Sequence, residues 1–330
     1  MISTPWIPAC AGMTAILFCV TTAHAQPAWK PEKNVEIVVG LTAGSSQDRS
    51  ARAIQSIAQA RALLNVNINV VNRVGGAGNV AWNYLAQHAG DAHWFQIASP
   101  TILTNHVIGS AQFTYTDYTP LALLGNQYIV LAVRADSPIK TGRELVERLR
   151  ADPAAVTMAT NSTGSYLHIV SALTARAAGL DPKKLKLVIL QGAELMTAAL
   201  GGHVDVISTV TSNVLPHVQS GKLRLIGISS PRRIGGDLAQ VPTLKEQGID
   251  AVLANWQGVI GPPKLNAAHI AFWDGVFSRL VKTEEWRADQ EKNFWESEYL
   301  NAQDYARFLK TDYDQAKTIF TELGLARKDF

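Results

Sequence analysis

The sequence predicts an α/β fold, in which strands of mostly parallel sheets alternate with helices. Strand-like and helix-like patterns follow one another along most of the chain. In two places a strand is followed by a loop of small residues and then by a helix: "GLTAGSSQD" (residues 40–48) and "ATNSTGSYLH" (residues 159–168). The 330 residues are enough for two domains, and 47% hydrophobic with 17% charged residues favours a packed core over disorder.

The first block of elements comes before residue 134. Its predicted strands are "VEIVV" (Val35–Val39), "LNVNINVV", "HWFQIAS" and "YIVLAV". The first is a largely apolar run, as expected of a strand buried on both faces. In the second, apolar and polar residues alternate, as expected of a strand with one buried face. Helical spacing of apolar residues after the first loop (Ala51, Ile54, Ile57 and Ala58) predicts a helix there, and the turn "NRVGGAGNVA" opens another.

The second block repeats this alternation. Its predicted strands are "AVTMAT", "LKLVIL", "HVDVIST", "LRLIGIS" and "VLANWQGVIGPP", with helices at "TGRELVERLR", Tyr166–Ala177, "GAELMTAALGG" and "SNVLPHVQSGK". The remaining tail is helical. It has two apolar faces, one formed by Ile270, Trp273, Val276, Phe277 and Leu280, the other by Tyr305, Phe308, Leu309, Ala316, Ile319 and Phe320.

The first 25 residues predict a signal peptide. No charged residue precedes Lys30, an apolar core is followed by Ala23-His24-Ala25, and cleavage is expected after Ala25. The usual positive charges before the core are missing, and a short membrane anchor is the alternative, although the run falls well below the roughly 20 residues of a span. The mature chain is therefore expected to lie outside the cytoplasm. Both cysteines lie in this leader, so no disulfide is expected in the mature chain.

The sequence lacks the signatures of several classes of function. A net charge of +3, with 30 basic and 27 acidic residues, argues against a nucleic-acid partner. "GAGNVA" (residues 76–81) matches a dinucleotide fingerprint, yet no acidic residue follows about 20 positions later. His203 and Asp205 share one strand face, but two ligands do not make a metal site. We therefore expect neither metal nor cofactor.

The two loops of small residues predict an anion-binding site. A helix N-terminus leaves backbone N–H groups without partners and carries partial positive charge, and small residues let a ligand approach them. The candidate ligand-binding residues are Thr42, Ala43, Gly44, Ser45, Ser46 and Asp48 in the first loop and Ser162, Thr163, Gly164 and Ser165 in the second. The alternative is a pair of ordinary turns capped by Ser165 and Asp48.

Two further expectations concern the first loop. Asp48 has three open roles: to bind a ligand amino or hydroxyl group, to hold a bridging water, or only to cap the helix. Arg49 and Arg52 lie beyond the loop, and we expect them to face water or to pair on the surface.

At these residues the chain resembles the periplasmic substrate-binding receptors of tripartite tricarboxylate transporters (TctC-like, also called Bug-type). The likeness runs from about Trp29 to Leu325. It is carried by an ordered set of motifs: "AGSSQD" with Ala51-Arg52, "NRVGGAGN", "STGS" with His168, "LGGHVD", "LPHVQSGKLR" and "VPTLKEQG". The sequence departs from the family at Ala43 and Val74, where proline is usual, and at Ser45, where glycine is usual.

The resemblance implies a type II periplasmic-binding-protein fold with a ligand cleft between two lobes. Lobe 1 would comprise residues 26–132 and return with residues 253–330, and lobe 2 would comprise residues 133–252, with crossings near Val133 and Asn255. The family pattern also places Asn79, Thr101 and Asp205 near the cleft.

The implied function is that of a non-enzymatic, monomeric receptor. It would capture a small carboxylate, such as a di- or tricarboxylate, an acidic amino acid or an aromatic acid, and deliver it to a large and a small integral-membrane transporter subunit. Two alternatives stay open. One is a secreted α/β hydrolase using Ser165, His168 and Asp205, and the other is the ligand-sensing subunit of a signalling receptor.

Overall fold

The computed structural model describes Met1 and residues 29–329. The expected signal peptide, its cleavage after Ala25 and both cysteines fall on residues 2–28, outside the described part. The strands are β1 (Val35–Val39), β2 (Ile68–Asn72), β3 (Trp94–Ala98), β4 (Thr119–Arg134), β5 (Met158–Thr160), β6 (Leu187–Ile189), β7 (Val206–Val210), β8 (Leu223–Ile228) and β9 (Ala254–Gly261).

The helices alternate with these strands and then form the tail. They are α1 (Ser46–Ala60), α2 (Asn79–Ala86), α3 (Thr101–Val107), α4 (Gly142–Ala151), α5 (Tyr166–Ala177), α6 (Ala193–Gly201), α7 (Thr211–Gln219), α8 (Ala267–Leu280), α9 (Glu284–Lys292) and α10 (Ala302–Glu322). Within the described residues no helix is long and apolar enough to cross a bilayer.

The strands form two halves, which we call lobe 1 and lobe 2. In lobe 1, β1 pairs in parallel with β2 and β3, and β9 runs antiparallel to β3. In lobe 2, β5 pairs in parallel with β6 and β7. The fold is therefore α/β with two lobes, as the sequence predicted.

The long strand β4 belongs to both lobes. Its residues 119–128 pair with β9 in lobe 1, whereas residues 129–134 pair with β7 and β8 in lobe 2. The sequence predicted only residues 128–133 of it, because Pro120 and Gly125 interrupt the strand pattern. The structure accommodates both with register shifts against β9, one between Pro120 and Ala122 and one between Leu123 and Gly125.

Apolar packing also joins the lobes through α10. Near its start, Tyr305 and Leu309 pack with the buried Trp82 of lobe 1. Near its end, Ala316 and Phe320 pack among the buried residues of lobe 2. Three parts of the chain therefore connect the lobes: β4, the return into β9, and α10, which lies across both lobes. The residue bounds given above for the lobes stay a prediction.

Candidate functional site

A cleft of about 530 Å³ lies between the lobes, at the ends of several strands. It is lined by the loop after β1, the loop after β5 and the starts of further helices from both lobes. In open α/β sheets this is the place where ligands bind, because the loops that follow the strands gather there.

Within the described part of the chain, five helices of eight residues or more begin at this cleft. A residue at or beside the start of each helix lines it: Ser46 for α1, Gly78 for α2, Ser165 for α5, Ala193 for α6 and Ser212 for α7. Each helix N-terminus carries a partial positive charge of roughly half an elementary charge. Their convergence gives the cleft a field that favours an anion.

The first loop is held in shape by its own side chains. Ser45 caps α1, its Oγ accepting from the Asp48 N–H at 3.3 Å. Gly44 adopts φ +78°, a conformation that favours glycine, and its N–H donates to Asp48 Oδ2 at 2.8 Å. The amides of Ser46 and Gln47 find no acceptor in the described part of the chain, so they can serve a ligand.

Asp48 stabilises the first loop through hydrogen bonds made away from the cleft. Its side chain is 2% exposed and does not line the cleft; besides Gly44 it accepts from Arg52 Nε at 2.9 Å and from Asn72 Nδ2 at 3.0 Å. Burial alone would raise the pKa of Asp48, but the hydrogen bonds from Arg52, Gly44 and Asn72 outweigh it and hold the pKa below its ordinary value. Asp48 is therefore an ionised clamp, and the capping role belongs to Ser45.

The second loop repeats this arrangement. Ser165 caps α5 by accepting from the His168 N–H at 3.2 Å, and Gly164 adopts φ +77°. The Gly164 N–H donates to His168 Nδ1 at 3.0 Å, so the imidazole is neutral, with its proton on Nε2. Burial lowers the pKa of His168 and favours this neutral form.

Most of the residues expected at the site lie together. The cleft is lined by Thr42, Ala43, Gly44, Ser45, Ser46, Thr101, Ser162 and Ser165. Thr163 and Gly164 lie between two lining residues without lining the cleft themselves.

Asn79 and Asp205 are engaged elsewhere. Asn79 donates to the Ser110 carbonyl and accepts from Asn105. The Asp205 carboxylate is exposed and accepts from the Thr157 N–H at 2.7 Å. Neither residue lines the cleft.

Arg49 differs from our expectation that it would face water or pair on the surface. It lines the cleft and is only partly exposed. Its guanidinium donates to the Gly44 carbonyl at 2.7 Å, to Ser212 Oγ at 3.0 Å and to Asn213 Oδ1 at 3.2 Å. Sequence spacing could not reveal these partners, because Ser212 and Asn213 lie more than 160 positions away and meet Arg49 only across the cleft.

Sequence reasoning also missed two polar residues inside lobe 1, Gln47 and Ser99, whereas Thr101 was expected near the cleft. Gln47 donates to Ser99 Oγ at 2.9 Å, and Ser99 shares a hydrogen bond of 3.0 Å with Thr101. All three line the cleft. The sequence placed Gln47 in the first loop and Ser99 at the end of a strand, but nothing in the local pattern showed that these side chains reach the cleft.

The three residues of the alternative hydrolase do not assemble into a triad. Ser165 Oγ donates to the Ser162 carbonyl at 2.9 Å, His168 Nδ1 is used by Gly164, and Asp205 pairs with the Thr157 amide. Among the described residues no group of three or more His, Cys, Asp or Glu is arranged to hold a metal ion.

Comparison with known proteins defines the class of the molecule. Among solved structures, the chain superposes on a Rhodopseudomonas palustris protein, Rpa4515 with adipate, with a TM-score of 0.82 at 21% identity, covering 90% of this chain and 99% of that one. MatC of the same organism, with bound malate, gives a TM-score of 0.76 at 21% identity over 88% and 99%. These likenesses establish the two-lobed fold of periplasmic binding proteins.

The sequence comparisons give the family. The profile described as "Tripartite tricarboxylate transporter family receptor" (TctC) matches residues 51–325. A curated relative, the UPF0065 protein in gbd 5'region of Cupriavidus necator, is 28% identical over 318 residues, covering 96% of this chain and 95% of the relative. The chain therefore belongs to the TctC family of solute-binding receptors.

Proposed function

We propose that this protein is an exported receptor that captures a small carboxylate between its lobes and delivers it to a tripartite tricarboxylate-type transporter with a large and a small membrane subunit. The observation that carries the proposal is the convergence of five helix N-termini on one cleft between two lobes. Family membership and the neighbours solved with malate and adipate support it.

The charge of the cleft favours an anionic ligand. Among the described residues that line it, Arg49 carries the sole fixed charge, and no Asp or Glu contributes. A carboxylate oxygen accepts hydrogen bonds and carries the charge that helix N-termini stabilise. Di- and tricarboxylates, acidic amino acids and aromatic acids all satisfy this requirement.

The amides are numerous enough to account for useful affinity. A hydrogen bond to a charged group contributes about 1.5–3 kcal/mol, and micromolar binding needs about 8 kcal/mol. The amides of Ser46, Gln47, Tyr166 and Leu167 supply four candidate donors, two from each lobe. No buried arginine directed at the ligand is then required.

Closure of the two lobes is the conformational change by which such a receptor signals that it has bound ligand. The first loop belongs to lobe 1 and the second to lobe 2, so a ligand contacts both only when the lobes are together. A ligand that gains contacts only in the closed form shifts the population toward it. The closed receptor would then present one shape to the membrane subunits.

A thermal-shift screen tests the proposal. Mono-, di- and tricarboxylates, acidic amino acids, aromatic acids and NAD are each added to the protein, and a ligand at 100 times its dissociation constant adds about 2.7 kcal/mol to stability. We expect one class of acid to raise the melting temperature. A flat response to all acids, or a rise with NAD alone, contradicts the proposal.

A pair of matched variants locates the binding site. Ala43 is exposed and lines the cleft, so Ala43→Trp should fill it and abolish the shift, whereas Ala89→Trp makes the same change at an exposed turn away from the cleft. A ligand that protects both variants equally binds elsewhere.

A further inference from the structure

Arg49 connects the two lobes directly. It is the fourth residue of α1 in lobe 1, and its Nη2 donates to Ser212 and Asn213, which lie in the first turn of α7 in lobe 2. These bonds cross the cleft without involving a ligand.

Both ends of this contact are held in place. On the side of lobe 1, Nη1 donates to the Gly44 carbonyl at 2.7 Å, which ties the guanidinium to the first loop. On the side of lobe 2, Asn213 Nδ2 donates to Thr209 Oγ1 at 3.4 Å, so its Oδ1 is turned toward Arg49. A planar guanidinium with several fixed donors suits such a bridge better than an ammonium group.

The surrounding charges make the bridge moderate in strength. The guanidinium lies against the N-terminal turn of α7, whose partial positive charge opposes it. The carboxylates of Asp289 and Asp48 supply the compensating negative charge from lobe 1.

Two other approaches between the lobes, both among the described residues, lack this directionality. A Cβ added to Gly192 of lobe 2 would lie 3.5 Å from Thr42 Oγ1 of lobe 1, which is ordinary contact. The hydrogen bond from Tyr166 to Asp312 ends on α10, a helix that packs on both lobes and does not bridge the cleft.

We propose that Arg49 is a positioning residue that latches the lobes closed through Ser212 and Asn213 and maintains a closed population without ligand. Apart from the charge that it contributes to the cleft, this contact acts on binding indirectly, because it places the second loop opposite the first before a ligand arrives. The inference involves protein groups alone, so it stands or falls separately from the identity of the ligand.

Spin-label distances in the ligand-free protein test the latch. Cys10 and Cys19 are replaced by serine in the full chain, and labels are placed at Asn83→Cys on α2 and Thr197→Cys on α6, both exposed. We expect a short and a long distance in the otherwise unaltered protein. Arg49→Gln should lower the short-to-long ratio about 5- to 30-fold, the range that corresponds to 1–2 kcal/mol.

Two further variants keep the test specific. Arg61→Gln removes the same charge at the end of the same helix, where the side chain pairs with Glu285 of lobe 1, and it should leave the ratio unchanged. Ser212→Ala combined with Asn213→Ala should reproduce the Arg49→Gln ratio and add little to it, because both changes remove the same contact.

Several outcomes would overturn the inference. They are a long distance alone in the unaltered protein, an equal ratio with and without Arg49→Gln, and an equal shift in Arg49→Gln and Arg61→Gln. Far-ultraviolet circular dichroism confirms that each variant is folded before its distances are compared.

Discussion

The two loops that face each other across the cleft share one backbone plan but differ in the residue that holds it. In each, a glycine with positive φ precedes a serine cap, and the side chain four residues after the glycine accepts the glycine N–H. That acceptor is the Asp48 carboxylate in lobe 1 and the His168 imidazole in lobe 2.

This difference separates what shapes the loop backbone from what determines the stability of the loop and its response to pH. An acceptor at that position shapes the loop whether it is charged or neutral. Asp48 is ionised and supported by Arg52 and Asn72, whereas burial keeps His168 neutral. The first loop should therefore be the more stable, and the second the more sensitive to mild acid.

The largest expected effect comes from removing each acceptor. Asp48→Ala leaves the Gly44 amide and its other donors without their charged partner and should cost about 2–3 kcal/mol, against about 1 kcal/mol for the neutral bond lost in His168→Ala. Urea unfolding of both variants measures the difference. Equal losses would mean that the charge of Asp48 adds nothing to the clamp.

The next largest difference between the two loops is expected when the glycine of each loop is replaced by alanine. Both glycines have positive φ, which costs an alanine about 1–2 kcal/mol. A Cβ at Gly164 would also lie 2.5 Å from Ile108 Cδ1 of lobe 1, whereas one at Gly44 meets nothing within 4 Å. Because Cδ1 is the end of a flexible side chain that can turn aside at a cost of about 0.5–1.5 kcal/mol, Gly164→Ala should weaken carboxylate binding by about that much more than Gly44→Ala.

The Ile108 contact provides the control for this pair. Ile108→Ala should restore part of the affinity lost in Gly164→Ala and none of that lost in Gly44→Ala. Recovery in both backgrounds, or in neither, would show that the steric contact between Ile108 and residue 164 is not the cause.

A smaller effect is expected from pH. The lowered pKa of His168 gives stability that is present above the ordinary value of 6.5 and lost as pH falls through 6.5 toward the folded-state pKa. Protonation of Nδ1 also removes the acceptor of Gly164. The melting temperature should therefore fall between pH 7.5 and 5.5 more steeply in the wild type than in His168→Asn.

Asp48 should not contribute in that window. Its lowered pKa gives stability present above the ordinary value of 3.8 and lost only as pH falls through the folded-state pKa below it. The other histidines are present in both proteins, so the difference between wild type and His168→Asn isolates one residue. Parallel pH profiles for the two would refute the proposed sensitivity of the second loop.

The sequence was informative where the cause of structure is local. The run Val35–Val39 predicted β1 with the observed bounds, and all of its residues except the partly exposed Glu36 are buried. The small residues after it predicted a bare loop and a helix start, because such turns depend on neighbouring residues. The Ser162–Ser165 loop was found in the same way.

The sequence was less informative where the cause lies in another part of the chain. The contacts of Arg49 with Ser212 and Asn213 depend on how the lobes meet. The outward positions of Asn79 and Asp205 depend on partners far along the chain, Asn105 and Thr157. Local pattern predicts the element that carries a residue, and tertiary packing decides whether its side chain reaches the cleft.

The most direct test of the account is calorimetric titration with the acid that gives the largest thermal shift and with its uncharged amide. If helix N-termini and loop amides bind a carboxylate in the cleft, the acid should bind one per protein. The amide should bind at least about 100-fold more weakly, since about 2.7 kcal/mol would be lost with the charge. Equal affinity for acid and amide, or undiminished binding of the acid by Ala43→Trp, would contradict an anion site in this cleft.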